Sequence, residues 1–244
     1  MERTFPESFE RQLEQLGISL TGQQLDRLYT YYENLADWNT RMNLTAINGL
    51  EDVCARHFTD SLSIVKCMDS SELQQGLSII DVGTGAGFPG LVLAIAFPQC
   101  SILLADSLKK RITFLDDTVS KLGLDNVRTV HGRAEDLAAN REYRERYDLA
   151  VSRAVSSLPV LLEYCLPFVR VGGRFAAYKG EKLEEELQQS GKAMKVLGGR
   201  IGRRTSFTLP ETDYYREILL TDKVSPTPAR YPRKAGTPAS SPLL

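Results

Sequence analysis

The residues with the clearest capacity for chemistry form one run, Asp81-Val82-Gly83-Thr84-Gly85-Ala86-Gly87-Phe88-Pro89-Gly90, directly after the apolar stretch Leu77-Ser78-Ile79-Ile80. A strand that empties into a glycine turn and then a helix lets a ligand lie against bare backbone, where a Cβ would clash. Gly85, Gly87 and Gly90 also satisfy the G-x-G-x-x-G dinucleotide fingerprint, and Asp106 lies at the separation of a ribose-binding acid. The acid before the first glycine discriminates between ligands. A pyrophosphate would be repelled by Asp81, whereas a methyl-donor cofactor takes an acid at this strand end, around its amino-acid moiety. The balance favours S-adenosylmethionine; a nicotinamide dinucleotide stays as the alternative.

Further along, Asp106 ends the second apolar run, where a carboxylate accepts ribose hydroxyls at the carboxyl edge of a parallel sheet. It doubles as a helix N-cap candidate together with Ser107. Gly132-Arg133-Ala134-Glu135 follows the third run, where a loop closes over adenine. The fourth ends in Ser152-Arg153-Ala154. That position lacks the Asn/Asp-Pro-Pro-aromatic run of exocyclic-amine methylation and the cysteine nucleophile of cytosine-carbon methylation. A ring nitrogen such as guanine N7 loses no proton on attack and needs no general base, so alignment alone can supply the catalysis.

These residues require elements that hold them. Before Gly76 the apolar residues Leu25, Leu28, Tyr32, Leu35 and Trp38 recur at helical spacing, with Thr21 as N-cap and Gly17, Asn43 and Gly49 at turns. After Gly76 the pattern predicts strands at 77–82, 102–105, 127–130, 149–151 and 173–177, separated by helices at 91–96, 111–122, 159–166 and 182–196. Strands alternating with helices give an α/β doubly wound, mostly parallel sheet. Runs at 204–209 and 215–220 add an antiparallel pair, making seven strands. The expected organisation is an N-terminal helical cap over 1–75, a cofactor-binding domain over 76–222 and a basic, proline-rich tail over 223–244, read as loop.

The 244 residues are 42% hydrophobic and 25% charged, the usage of an ordinary globular chain. The longest apolar run, 91–97, is too short to span a membrane, and the N-terminus has no signal-like core, so a cytoplasmic chain without membrane contact is expected. Cys54, Cys67, Cys100 and Cys165 have neither zinc nor disulfide-framework spacing, and the two histidines, His57 and His131, are not at ligand spacing, so no metal is expected. The net charge of −1 is unevenly spread. Residues 1–76 hold 12 acids and 6 bases, the rest 19 acids and 24 bases, and from Lys223 onward there are four bases and no acid. Solvated surface accounts for such asymmetry as readily as a nucleic-acid partner does. The same duality holds for Lys109-Lys110-Arg111, and His57 beside Arg56 and Asp60 reads as a packing residue or a catalyst.

One family carries these motifs together. The chain resembles the RsmG (GidB) family of bacterial small-subunit ribosomal RNA methyltransferases, which make 7-methylguanine in the decoding-region loop. The resemblance rests on Asn43-Leu44-Thr45, Arg56-His57-Phe58-x-Asp60-Ser61-Leu62, the Asp81–Gly90 turn, Asp106-Ser107-x-x-Lys110-Arg111, Gly132-Arg133-Ala134-Glu135, Ser152-Arg153-Ala154-Val155, Tyr178-Lys179-Gly180 and Tyr231-Pro232-Arg233-Lys234-Ala235-Gly236-Thr237-Pro238. It implies a class I S-adenosylmethionine-dependent fold. It also implies a cofactor lined by Gly83, Phe88, Asp106, Ser107, Leu108, Ala134, Glu135 and Arg153, with Asp81, Gly85 and Gly87 shaping the turn. The implied substrate is 16S ribosomal RNA or the small ribosomal subunit, acted on by a monomer. Arg56, His57, Lys179, Arg230, Arg233 and Lys234 are the expected substrate-binding residues. Ala239-Ser240-Ser241 departs from relatives that carry lysine after the Thr-Pro. A methyltransferase acting on another RNA, a protein or a small molecule is the remaining alternative.

Overall fold

The computed structural model describes residues 3–244. Helix α1 (Glu7–Leu16) ends on Gly17 in the left-handed conformation, and α2 (Gly22–Asn39) starts at Thr21, whose hydroxyl accepts from Gln24 N while the Gln24 side chain accepts from Thr21 N. This reciprocal box satisfies two donors that a helix start leaves open. A continuous helical stretch follows, made of α3 (Leu50–Val53), a π-helical segment (Cys54–Thr59), α4 (Asp60–Leu62) and a 3-10 turn (Ser63–Lys66), with α5 (Ser70–Gln74) closing the cap.

The remaining elements alternate as expected: β1 (Ser78–Val82), α6 (Gly90–Ala96), β2 (Ser101–Asp106), α7 (Lys109–Leu122), β3 (Val127–His131), α8 (Ala134–Ala139), β4 (Tyr147–Arg153), α9 (Leu158–Cys165) and β5 (Val169–Lys179). Next come α10 (Leu183–Gln188), α11 (Gly191–Val196), β6 (Gly199–Thr208), β7 (Tyr215–Lys223) and α12 (Thr237–Ser240). The seven-stranded sheet has the order β3-β2-β1-β4-β5-β7-β6, parallel through β5, with β7 antiparallel to both β5 and β6. The order reverses beside β1, so the ends of β1 and β4 form a crevice, the usual ligand position in such sheets.

Two departures from the sequence expectation have local causes. The helix expected over 182–196 is broken into α10 and α11 where Ser190 folds its hydroxyl back on Glu186 O at 2.6 Å and Gly191 follows. The tail, read as loop, is fastened. Arg144 donates to Thr227 O at 2.7 Å and to Tyr231 O at 2.8 Å, and the buried Lys223 ammonium donates to Leu166 O at 2.6 Å.

Strand pleating divides the core. On one side Ile79, Leu104 and Leu91 pack with the cap residues Phe9, Leu28, Tyr31, Leu35 and Phe58. On the other, Ile80, Leu103 and Leu161 pack with Phe175, and the tail's Tyr231 and Leu243 join them. Alternating side chains on a strand buried on both faces dictate that arrangement. The cap and sheet thus share one apolar cluster. Trp38, the single tryptophan, sits at their junction: its ring meets Phe114 of α7 edge-on at 5.8 Å and its Nε1 donates to Asp117 at 2.8 Å. Denaturant unfolding followed by Trp38 fluorescence and by far-ultraviolet circular dichroism should give coincident midpoints. Phe58→Ala should lower both together, by ~3–5 kcal/mol of stability. A cap signal lost at lower denaturant than the sheet signal would show two separate folding units.

Candidate active site

The glycine turn is pinned from within. Asp81, fully buried at the end of β1, accepts through Oδ2 from Thr84 Oγ1 at 2.7 Å and from Gly90 N at 2.8 Å, tying the turn's start to the start of α6. Its Oδ1 is buried without a partner. Burial pushes the carboxyl up to about 6, because loss of water disfavours the charge more than the two hydrogen bonds restore it. Gly87 has φ +99°, and an added Cβ would stand 2.7 Å from the hydroxyl oxygen of Tyr31, which reaches across from α2 and donates to Ala86 O. The cap therefore locks the turn. Gly83, at φ +72°, would place a Cβ 2.7 Å from Val155 Cγ2, over the crevice.

Beside that turn lies a cavity of ≈ 260 Å³ lined by Val82, Gly83, Asp106, Ser107, Ala134, Glu135, Val155, Tyr164 and Ala239, among others. Asp106 closes its floor. Oδ1 accepts from Leu108 N at 2.8 Å; Oδ2 accepts from Gly85 N at 2.9 Å and from Arg111 at 3.2 Å. Of the roughly four acceptor sites of a carboxylate, one on Oδ1 is left for a ligand hydroxyl, and withdrawal of the half-buried Arg111 frees a second. Bare backbone at Gly83, an acceptor for a ribose and apolar walls from Val82, Ala134 and Tyr164 fit the adenosine half of S-adenosylmethionine.

A second cavity, of ≈ 470 Å³, adjoins the first at the end of β4: Arg153 and Ala154 line it, while Val155 and Ser156 line the other. Around it stand Arg56, Arg153, Lys179, Lys182 and Arg216 against Asp60, Glu181 and Glu186, five cations to three anions. Arg153 organises this wall. It donates to Asp60 Oδ2 at 2.8 Å, to Arg56 O at 3.1 Å and to His57 Nδ1 at 3.1 Å, and its guanidinium lies over the Phe88 ring at 5.1 Å. Arg216 takes Asp60 Oδ1 at 3.0 Å. Since His57 Nδ1 accepts from Arg153, Nε2 carries the proton and donates to Thr45 Oγ1 at 2.9 Å. Burial, then the adjacent Arg153 charge, pushes His57 down to about 3. The ring is neutral and stacks on Phe88 at 4.2 Å. Ala154 holds a left-handed backbone at φ 57°, a strained conformation for a residue with a Cβ.

The residues expected on the cofactor are brought together: Gly83, Asp106, Ser107, Ala134 and Glu135 line the first cavity, Asp81, Gly85 and Gly87 form the turn, and Leu108 contributes its N–H to Asp106. Phe88 lies beneath Arg153 and His57 and lines neither cavity. Arg56 and Lys179 line the second cavity, with Lys179 paired to Glu186 at 2.6 Å. The tail cations do not converge there. Arg233 is spent on Glu163, which is 1% exposed, through bonds of 2.6 and 2.9 Å, while Arg230 and Lys234 stay exposed. Arg216 emerges only from the structure, and Asp60, Ala154 and Ala239, though named in the sequence motifs, gain a place in the lining only there. Asp60 stood within the 56–62 motif, but nothing local marks Arg216 as its partner. Among the described residues no group of three or more His, Cys, Asp or Glu is placed to hold a metal.

The Asp81 carboxyl gives a pH test. Its pKa is raised in the fold, to about 6, above its ordinary value of 3.8. The fold therefore loses stability from this group as pH rises through that interval, on the order of 2–3 kcal/mol by pH 7. Asp81→Asn keeps an oxygen for Thr84 and Gly90 and removes the charge. The difference in melting temperature, variant minus parent, should rise between pH 5 and 7.5; a difference that falls would mean the carboxylate is stabilised as an anion.

Comparison with known proteins agrees with this geometry. The Pyrococcus furiosus methyltransferase structure matches with a TM-score of 0.56 at 16% identity, covering 82% of this chain and 99% of that one. A variant of the 16S rRNA (adenine(1408)-N(1))-methyltransferase from Catenulisporales acidiphilia matches with a TM-score of 0.51 at 17% identity, covering 64% and 90%. At such identities the likeness establishes the fold. Proteins named ribosomal RNA small subunit methyltransferase G are far nearer: that of Alkaliphilus oremlandii is 50% identical over 93% of this chain and 94% of its own length, and that of Alkaliphilus metalliredigens 48% over 94% and 95%. The description of rRNA small subunit methyltransferase G (GidB) matches residues 24–212. With the sheet, the glycine turn and the sequence in agreement, the chain belongs to the rRNA small subunit methyltransferase G family, whose methyl donor is S-adenosylmethionine.

Proposed function

We propose that the chain transfers the methyl group of S-adenosylmethionine to N7 of a guanine in 16S ribosomal RNA of the small subunit. One observation carries the reading: the cavity that fits adenosine adjoins, at residues 153–156, a cation-rich cavity whose possible bases are already engaged. His57 is neutral with both ring nitrogens bonded, Asp60 is held by two arginines, and Glu186 by Lys179 and Leu158 N. An acceptor that gives up no proton suits such a site.

The cofactor supplies an electrophilic methyl on a sulfonium. The protein's part is placement. Asp106 offers a ribose acceptor, Gly83 lets the ligand reach the backbone, and Arg56, Arg153 and Arg216 draw a phosphate-bearing substrate into a chain that, at net −1, attracts none overall. Alignment of a lone pair with the methyl is worth ~7–11 kcal/mol, enough without a base.

Two measurements bear on this. Gly83→Val should abolish S-adenosylmethionine binding and the methylation mapped by mass spectrometry on small subunits, while Asp106→Ala should weaken binding by ~1.5–3 kcal/mol. Unchanged affinity in a folded Gly83→Val protein would sink the cofactor assignment. The single-turnover rate should be nearly flat from about pH 6.5 to 8.5, because no group must remove a proton. An acidic limb in that range that vanishes in His57→Ala would mean that the histidine is a base after all.

A further inference from the structure

The tail passes along the wall of the cofactor cavity. Its last fixed points form a chain of contacts: Arg233 is bidentate on Glu163 of α9, with Arg233 N adding a third bond to that carboxylate at 2.8 Å; three residues on, Gly236 N donates to Glu135 Oε1 at 2.8 Å; and Ala239 lines the cavity opposite Gly83 and Asp106. Glu135 is 6% exposed and lines the same cavity, so one buried carboxylate faces both tail and ligand space. Pro238 is buried, and Leu243 returns to the apolar cluster under α9. A segment free to reach for RNA would not be bonded at Thr227, Tyr231, Arg233 and Gly236 in succession.

We propose that residues 236–239 are a wall of the S-adenosylmethionine site, closing its adenine end, and that the Arg233–Glu163 pair holds this wall in position. The proposal rests on the cofactor reading given above. Ala239 is the point of closest definition because it is small, lies at the rim and is exposed, so a larger side chain there enters the cavity without disturbing the core. Arg233 is a positioning residue. Its removal leaves Glu163 buried and unpaired, which loosens the whole segment.

The test measures S-adenosylhomocysteine affinity by calorimetry in the parent, in Ala239→Trp and in a chain ending after Ala235, with melting temperature for each. Parent binding is established first, and its absence would overturn the cofactor reading itself. The expected result is an affinity at least tenfold weaker in both altered proteins, with the melting temperature of Ala239→Trp within a degree or two of the parent. Bound S-adenosylhomocysteine should also slow amide exchange across 234–240 in the parent. For Arg233→Lys, which keeps the charge and loses the two-pronged bond, the apparent KM for S-adenosylmethionine should rise while that for small subunits holds. Parent-like affinity in both Ala239→Trp and the shortened chain would overturn the proposal. Loss of methylation with a shallower salt dependence would then assign the tail to RNA, and full activity would leave it to packing alone.

Discussion

The pairing of Arg153 with Asp60 is the contact on which the site depends. Arg153 is the last residue of β4, at the sheet's crevice, and Asp60 begins α4 in the cap, 93 residues earlier. One guanidinium reaches the carboxylate, the Arg56 carbonyl, the His57 ring and the face of Phe88 in the glycine turn. Only a planar, multiply donating cation can serve four partners at fixed angles; an ammonium on a flexible stem cannot. Both members of the pair are nearly buried, so loss of Asp60 strands the Arg153 charge at a cost of ~3–5 kcal/mol, whereas loss of Arg153 leaves Asp60 paired with Arg216 alone. The π-helical segment Cys54–Thr59 belongs to the same constraint. It carries Arg56 and His57 and leads into Asp60, all three bonded by Arg153, and such segments are frequent at functional sites.

The cap is consequently a part of the candidate site and not an appendage. Tyr31 bonds the turn, Thr45 accepts from His57 Nε2, and Ile47 and Arg56 line the second cavity. Charge follows the same logic. The acidic excess of residues 1–76 and the basic excess beyond them are partly spent on each other, through Asp60 with Arg153 and Arg216 and through Glu72 with Arg174. The uneven distribution read from the sequence therefore says less about free surface potential than about how cap and sheet are joined. What is left for a polyanion is the local excess around the second cavity.

Legibility in the sequence followed the range of the physics. Strand positions were readable because β1, β2 and β4 are buried on both faces and hence continuously apolar. The glycine turn was readable because its conformation excludes side chains, and the Thr21 cap because its partner lies three residues away. The break in helix 182–196 is not legible in sequence because the Ser190 hydroxyl competes for a backbone carbonyl, which spacing of apolar residues does not report. The Asp60–Arg216 and Glu163–Arg233 pairs span 156 and 70 residues and leave no periodic trace. Arg233 illustrates the point, since a guanidinium committed to a buried carboxylate looks, in sequence, like one that is free.

Two buried titrating groups in the site pull stability in opposite directions. His57 is held neutral, down to about 3, so the unfolded chain binds a proton that the fold refuses, and stability is lost as pH falls below about 6.5. Asp81 is raised to about 6, so the fold takes up a proton before the unfolded chain does, and stability is regained over much of the same interval. At neutral pH the histidine sits in its preferred state while the aspartate carries a charge with one oxygen unpartnered. The glycine turn is thus the element left electrostatically unsatisfied, whereas the wall of the second cavity is satisfied at Asp60, His57 and Glu186.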